Sequence, residues 1–145
     1  MNKQDFPIIR TESNGKRSIY DVLRERFVAL TPEEGVRQQF IHYLINEKHY
    51  PQNLLANEVS ISLNGTSKRC DSVLYDIHLK PKAIIEYKAP EVQITQKVFD
   101  QIIRYNIIMQ VEYLIISNGK QTYICRIKDK TSIEFIKEIP DYYNL

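Results

Sequence analysis

The chain has 145 residues, 43% of them hydrophobic, which suits one domain with a real core and no transmembrane segment, because no apolar run approaches ~18 residues. Twenty Lys and Arg stand against 18 Asp and Glu, a formal charge of +2 that argues against a protein that coats nucleic acid. The first residues, Met1 to Asp5, carry an early acid and no apolar h-region, so a cytoplasmic protein without a signal peptide is expected. Cys70 and Cys125 lack metal-ligand spacing and are read as reduced core residues.

Residues 1–17 are polar and aperiodic, with Asn14-Gly15 as a turn, and read as an N-terminal arm or short edge element. Residues 18–145 read as one domain. Ile19, Val22, Leu23 and Phe27 share one side of a short helix over 18–28. Thr31-Pro32-Glu33-Glu34 is a helix start, with Thr31 as N-cap, Pro32 at the first helical position and Glu34 closing a capping box. This helix runs to about Lys48, with Val36, Phe40, Tyr43 and Leu44 as its apolar stripe.

Leu55, Val59, Ile61 and Leu63 alternate with Glu58, Ser60 and Ser62, the pattern of a half-buried strand. Asn64-Gly65 predicts a hairpin into a strand over 69–77. A near-continuous apolar strand over 83–88 suggests a central position. A long helix over 92–109 leads to strands at 111–117, 121–127 and 132–137, with Asn118-Gly119 as a turn. A helix between two such strands implies a right-handed parallel crossover. The fold class is α/β, a mixed sheet with helices on its faces.

The chemistry concentrates in two segments, Arg69-Cys70-Asp71 and Ile85-Glu86-Tyr87-Lys88. Strand parity puts Glu86 and Lys88 on one face, about 7 Å apart. An isolated Glu-x-Lys is ordinarily an ion pair or a strand end reaching solvent. Asp71 changes that reading, because adjacent antiparallel strands bring its carboxylate to the same end of the sheet as Glu86. Two carboxylates suffice for magnesium, which keeps several waters, and a Tyr87 carbonyl completes such a set. Lys88 then orients water or neutralises developing charge. Asp76 reads as a solvent-facing strand-end residue.

Glu33 and Glu34 both suit a helix N-terminus. Glu33, in register with Val36 and Phe40, is preferred as a further acid of the site. Gln101 and Tyr105 are neighbours on one helix face, flanked by Lys97 and Arg104. That face is either solvated or a border of the site with donors for a phosphate backbone. No phosphate-binding glycine loop, zinc spacing among His42, His49 and His78, or nucleophile elbow is present.

From about Leu30 to Ile124 the chain resembles the N-terminal nuclease domain of the restriction subunit of type I restriction enzymes, within the PD-(D/E)xK nuclease superfamily. The resemblance lies in Thr31 to Gln38, Arg69-Cys70-Asp71, Ile85 to Pro90, Gln101 to Tyr105, and the strand into Ser117-Asn118-Gly119. It implies a restriction-endonuclease-like α/β/α sandwich with a central mixed β-sheet, and magnesium-dependent cleavage of DNA, with manganese as a substitute ion. Asp71 and Glu86 would be metal ligands, Lys88 the catalytic lysine, and one acid of the Glu33-Glu34 pair the helix carboxylate. Gln101 and Tyr105 fit a Gln-x-x-x-Tyr motif of related nucleases. Cys70 stands where the superfamily name has proline. Nothing in these residues encodes the DNA motor of a restriction subunit, so a standalone relative or a partner of other restriction-modification subunits is expected. The alternatives are a non-catalytic nucleic-acid-binding or assembly module, and a resolvase or repair nuclease of the same superfamily.

Overall fold

A computed structural model describes residues 6–129 and 132–145. The part of the N-terminal arm at 1–5 lies outside the described residues. Three short strands, β1 (Ile9–Thr11), β2 (Arg17–Asp21) and β3 (Arg26–Ala29), form a small antiparallel sheet. Helix α1 (Pro32–Asn46) follows, then β4 (Leu55–Leu63), β5 (Thr66–Tyr75) and β6 (Pro81–Tyr87). Helix α2 (Gln96–Asn106) leads to β7 (Tyr113–Ser117), β8 (Thr122–Ile127) and β9 (Ile133–Ile136). These six strands form one sheet in sequence order from β4 to β9, and β6 and β7 are the parallel neighbours in it.

The helix expected over 18–28 is instead the β2–β3 hairpin. Asp21 makes the turn: its Oδ1 accepts the Leu23 and Arg24 amides at 2.8 and 3.0 Å, and Glu25 takes a left-handed φ of 53°. The apolar residues still turn inward, since Ile19 is buried and Val22 and Leu23 pack on the core, but they do so through a turn. Helix spacing and strand-turn-strand spacing coincide over such a short stretch.

Thr31 caps α1 as expected, accepting the Glu34 amide at 3.1 Å. The other half of the capping box does not form. The Thr31 amide bonds to the Ala29 carbonyl at 3.1 Å, which leaves the Glu34 carboxylate free for other partners. Helix α2 starts later than expected, because Thr95 is its N-cap, and a 3-10 turn over Ile107–Met109 ends the helical segment. Asn64 and Gly65, with φ of 50° and 80°, turn β4 into β5. That pair of left-handed conformations is the type I′ geometry that suits the strand twist.

The sheet separates two apolar clusters. On the α1 side lie Phe40, Ile41, Leu44, Leu74, Ile85 and Ile115; on the α2 side lie Val73, Ile84, Phe99, Ile102, Leu114 and Ile116. Each fully buried side chain of this size contributes about 1.5–3 kcal/mol. Burial of both faces of β6 and β7 explains their unbroken apolar sequences.

The alternation of β4 breaks at one place. Leu55 belongs to the α1-side cluster, whereas Val59, Ile61 and Leu63 pack on the α2 side. Residues of equal parity share a face of a regular strand, so the chain must flip between them. It does so at Glu58, whose φ is 56°. The partner strand flips opposite this point: Cys70 and Val73, of unequal parity, both lie on the α2 side. The β4–β5 ladder skips the position between Asn57↔Ser72 and Val59↔Cys70, where Glu58 faces Asp71.

Candidate active site

This irregular row of the sheet carries the acids. Register places Asp71 opposite Glu58 on one side, and one step past the last β5–β6 pair, Ser72↔Ile85, places it opposite Glu86 on the other. The acids therefore lie side by side on three neighbouring strands. They open into a cleft of about 530 Å³ whose other walls are Arg24, Val28, Ala29, Thr31, Glu33, Glu34, Arg37, Tyr87 and Lys88. The small N-terminal sheet and the first turn of α1 thus close the cleft over the main sheet.

Asp71 is fixed through Oδ2, which accepts the Tyr87 amide at 2.9 Å. Burial raises its pKa above the ordinary carboxylate value; the Tyr87 amide opposes this, and the nearby Glu86 charge adds to it. Glu86 is mostly buried and pairs with Lys68 Nζ at 2.6 Å. Lys88 is half-buried, its amide bonded to the Ser117 carbonyl at 2.9 Å, and its ammonium makes no ion pair among the described residues.

The expectation that Glu33 faces inward is corrected. Glu33 is exposed at the cleft mouth, while Glu34 is buried. Glu34 shares a buried face with Arg37, Gln38 and Ile41, three, four and seven residues on, and Glu33 lies off that face at the helix start. Glu34 accepts a bidentate pair from Arg37, Nε at 2.7 Å and Nη2 at 2.6 Å, and a further bond from Arg24 Nη2 at 2.9 Å. Burial pushes the Glu34 carboxyl up, but Arg37, then Gln38 and Arg24, bring it below the usual value. Arg37 Nη1 also reaches Glu58 Oε1 at 2.7 Å and the Asp71 carbonyl at 2.9 Å. Arg37 thereby ties the helix acid to the acid row, and its own pKa is driven above the normal arginine value despite burial.

The network continues away from the cleft. Arg24 Nε bonds to Asp21, Asn57 Nδ2 bonds to both Asp21 oxygens at 3.0 and 3.2 Å, and Ser72 donates to Asn57 Oδ1 at 2.5 Å. Tyr87 Oη then donates to Ser72 at 3.0 Å. The chain of bonds starts at Asp71 and returns to the residue whose amide holds Asp71. Burial raises the Asp21 carboxyl, but the bonds from Asn57 and Arg24 bring it below its ordinary value.

Gln101 is exposed on α2, and no α2 residue lines the cleft among the described residues, so the expected approach of Gln101 is not seen. Tyr105 does border the site indirectly, because Lys68 Nζ lies 5.8 Å from its ring centre. Lys97 and Arg104 are exposed on the same helix. Cys70 and Cys125 are free and buried, and burial pushes both thiols up to about 11. Asp76 accepts the His78 and Lys80 amides in the β5–β6 turn.

Arg37, Glu58 and Lys68 are the residues that sequence reasoning passed over. The spacing of Glu34, Arg37 and Gln38 on one helix was a usable signal. Glu58 was not findable, because its place depends on the strand flip.

No group of three or more His, Cys, Asp or Glu side chains is arranged to hold a metal ion among the described residues. Asp71 and Glu86 do share the cleft, and a pair of carboxylates with water fits magnesium, which rarely uses an all-protein cage. Among the described residues no helix is long and apolar enough to cross a membrane.

A mixed sheet flanked by two helices, with an acid row and a lysine in one cleft, defines an α/β protein with a polar surface site. The family model of the type I restriction enzyme R protein N terminus matches residues 32–140, and the chain belongs to that family. No curated protein matches the chain.

Proposed function

We propose that the domain is a metal-dependent DNA endonuclease of a restriction system, with Asp71 and Glu86 as ligands of a magnesium ion and Lys88 as the catalytic lysine. The observation that carries this reading is the side-by-side placement of Asp71 and Glu86 beside the strand flip, in a cleft that also holds Lys88, which makes no ion pair among the described residues. A bound magnesium ion supplies charge neutralisation at the phosphate and acidifies water. Tyr87 orients Asp71 through its amide. The Lys88 ammonium holds the attacking water or a phosphoryl oxygen as negative charge builds. Water attacks phosphorus and gives up a proton to solvent, the bond to one sugar oxygen breaks, and that oxygen takes up a proton from solvent. Glu34 acts at one remove, by holding Arg37 against Glu58 and the Asp71 carbonyl. Gln101, Lys97, Arg104 and Tyr105 belong in this reading to the DNA-facing surface beside the cleft. Membership of the R-protein family supports DNA and other restriction-modification subunits as partners.

The test is a cleavage assay on linear, circular and branched DNA with magnesium or manganese. Cleavage should stop with EDTA. Asp71→Ala and Glu86→Ala should abolish metal binding and cutting together, and Lys88→Ala should keep metal binding while cutting falls at least 100-fold, the usual contribution of such a group. Cutting by Lys88→Ala at the parent rate would remove the lysine from the mechanism.

One observation favours a second reading, a non-catalytic DNA-binding or assembly module. Cations already compensate Glu34, Glu58 and Glu86, as a rigid scaffold would require. A parent protein that binds DNA but leaves every form intact at high metal, with partner subunits supplied, would select it.

A further inference from the structure

The acids of the cleft are compensated in two different ways. Glu34 is gripped by Arg24 and Arg37, and Glu58 by Arg37 and Arg69, in charge-assisted pairs that lock both carboxylates. Among the described residues Glu86 has one charged partner, Lys68, at 2.6 Å, and both side chains are mostly buried, Lys68 at 20% and Glu86 at 15% exposure. A lysine is a point charge on a flexible four-carbon stem, without the bidentate fork of arginine. It comes from the neighbouring strand β5, and the Tyr105 ring lies 5.8 Å from its ammonium on the α2 side. The ring face offers the ammonium a second favourable contact at the edge of the cleft.

We infer that Lys68 is an exchangeable counter-ion for Glu86: it occupies the cation position in the metal-free protein, and a divalent ion must displace it to reach Asp71 and Glu86. This rests on the metal-site reading above. Lys68 is then a positioning residue that sets how much metal the site requires. Competition of two cations for one carboxylate is a coupling between them, and couplings of this kind change affinity by about 5- to 150-fold. Neutralising Lys68 should therefore tighten metal binding, the opposite of what loss of a merely structural ion pair would do.

Calorimetric titration of the intact chain with manganese and with magnesium tests this on four proteins: the parent, Lys68→Met, Lys68→Gln and Asp71→Ala. Both Lys68 variants should bind roughly tenfold more tightly than the parent, and Asp71→Ala should not bind. Thermal melts give a second readout, in which metal should raise the melting temperature of the Lys68 variants more than that of the parent. Lys68→Gln keeps a hydrogen-bonding group beside Glu86 and guards against a packing failure in Lys68→Met. Binding by the Lys68 variants alone would support both the counter-ion and the site. If the parent binds through Asp71 and the Lys68 variants bind equally or more weakly, the counter-ion inference fails and the metal site stands. If none of the four binds metal, both fall.

Discussion

Asp71 is held in a position that opposes its own charge. Burial and the Glu86 carboxylate both raise its pKa, and one amide from Tyr87 does not cancel them. A carboxyl whose folded pKa is raised contributes stability below its unfolded pKa and loses it as pH rises through the folded value. At neutral pH, ionised Asp71 therefore destabilises the metal-free domain. Asp71→Asn keeps an acceptor for the Tyr87 amide and removes the charge. It should raise the melting temperature of the metal-free protein at pH 7. The gain should shrink as pH falls below the carboxylate range, where Asp71 is protonated in both states. Scanning calorimetry from pH 3 to 8 would check this, and an Asn variant that melts lower at pH 7 would show that Asp71 is a stabilising residue. The same substitution should abolish metal binding, which is the trade expected of a site whose charges are set for a ligand. Glu34 runs the opposite way. Its lowered pKa stabilises the fold above the ordinary carboxylate range, and that stability is lost as pH falls through the lowered value.

At the scale of elements, the polar network is what joins the small N-terminal sheet and α1 to the main sheet. Asp21 sits at the end of β2, Glu34 and Arg37 in α1, Asn57 in β4, and Ser72 in β5, with all five side chains buried. Buried charges are tolerated when fully bonded, and removal of one partner leaves another uncompensated. Arg37→Met should therefore cost about 3–5 kcal/mol in urea unfolding. It strips Glu34 of its bidentate partner and Glu58 of one of two arginines. Replacement of Glu34 and Arg37 together should cost less than the sum of the single changes. Additive losses would show that the pair is not coupled. The elements differ in how far local sequence announces them. Thr31-Pro32, Asn64-Gly65 and the apolar β6 and β7 runs carry local signals, a cap, a turn and continuous burial, and the fold follows them. The β2–β3 hairpin does not, because Asp21 makes its turn with a side chain that also answers to Asn57 on a distant strand. The flip at Glu58 is hidden for the same reason, since alternation predicts parity and the strand changes faces midway. Asp71, Glu86 and Lys88 were legible as chemical types on strands. The counter-ions Arg37 and Lys68 were not, since only tertiary packing brings them to those acids.

For the whole molecule, the proposed function gives a cleft with one Asp71–Glu86 pair that would act on one phosphodiester at a time. Both carboxylates come from adjacent strands of one chain, and Lys88 follows directly after the end of the strand that carries Glu86, so the residues of the proposed site all come from one copy. Two cuts in a duplex then need either two protomers on opposite strands or two successive encounters. The charge balance favours brief encounters, since +2 is too small a field to hold DNA between events at physiological salt. On supercoiled plasmid at limiting protein, nicked circles should therefore accumulate first, at a rate proportional to protein concentration. Linear DNA should follow only after a lag. If linear product instead forms from the start, with a rate that rises as the square of protein concentration, paired protomers cut both strands in one event. Mixing the parent with an excess of Lys88→Ala protein separates the two schemes. Independent nicking should fall only by competition for DNA. Paired cutting should collapse, because most pairs would then contain an inactive partner.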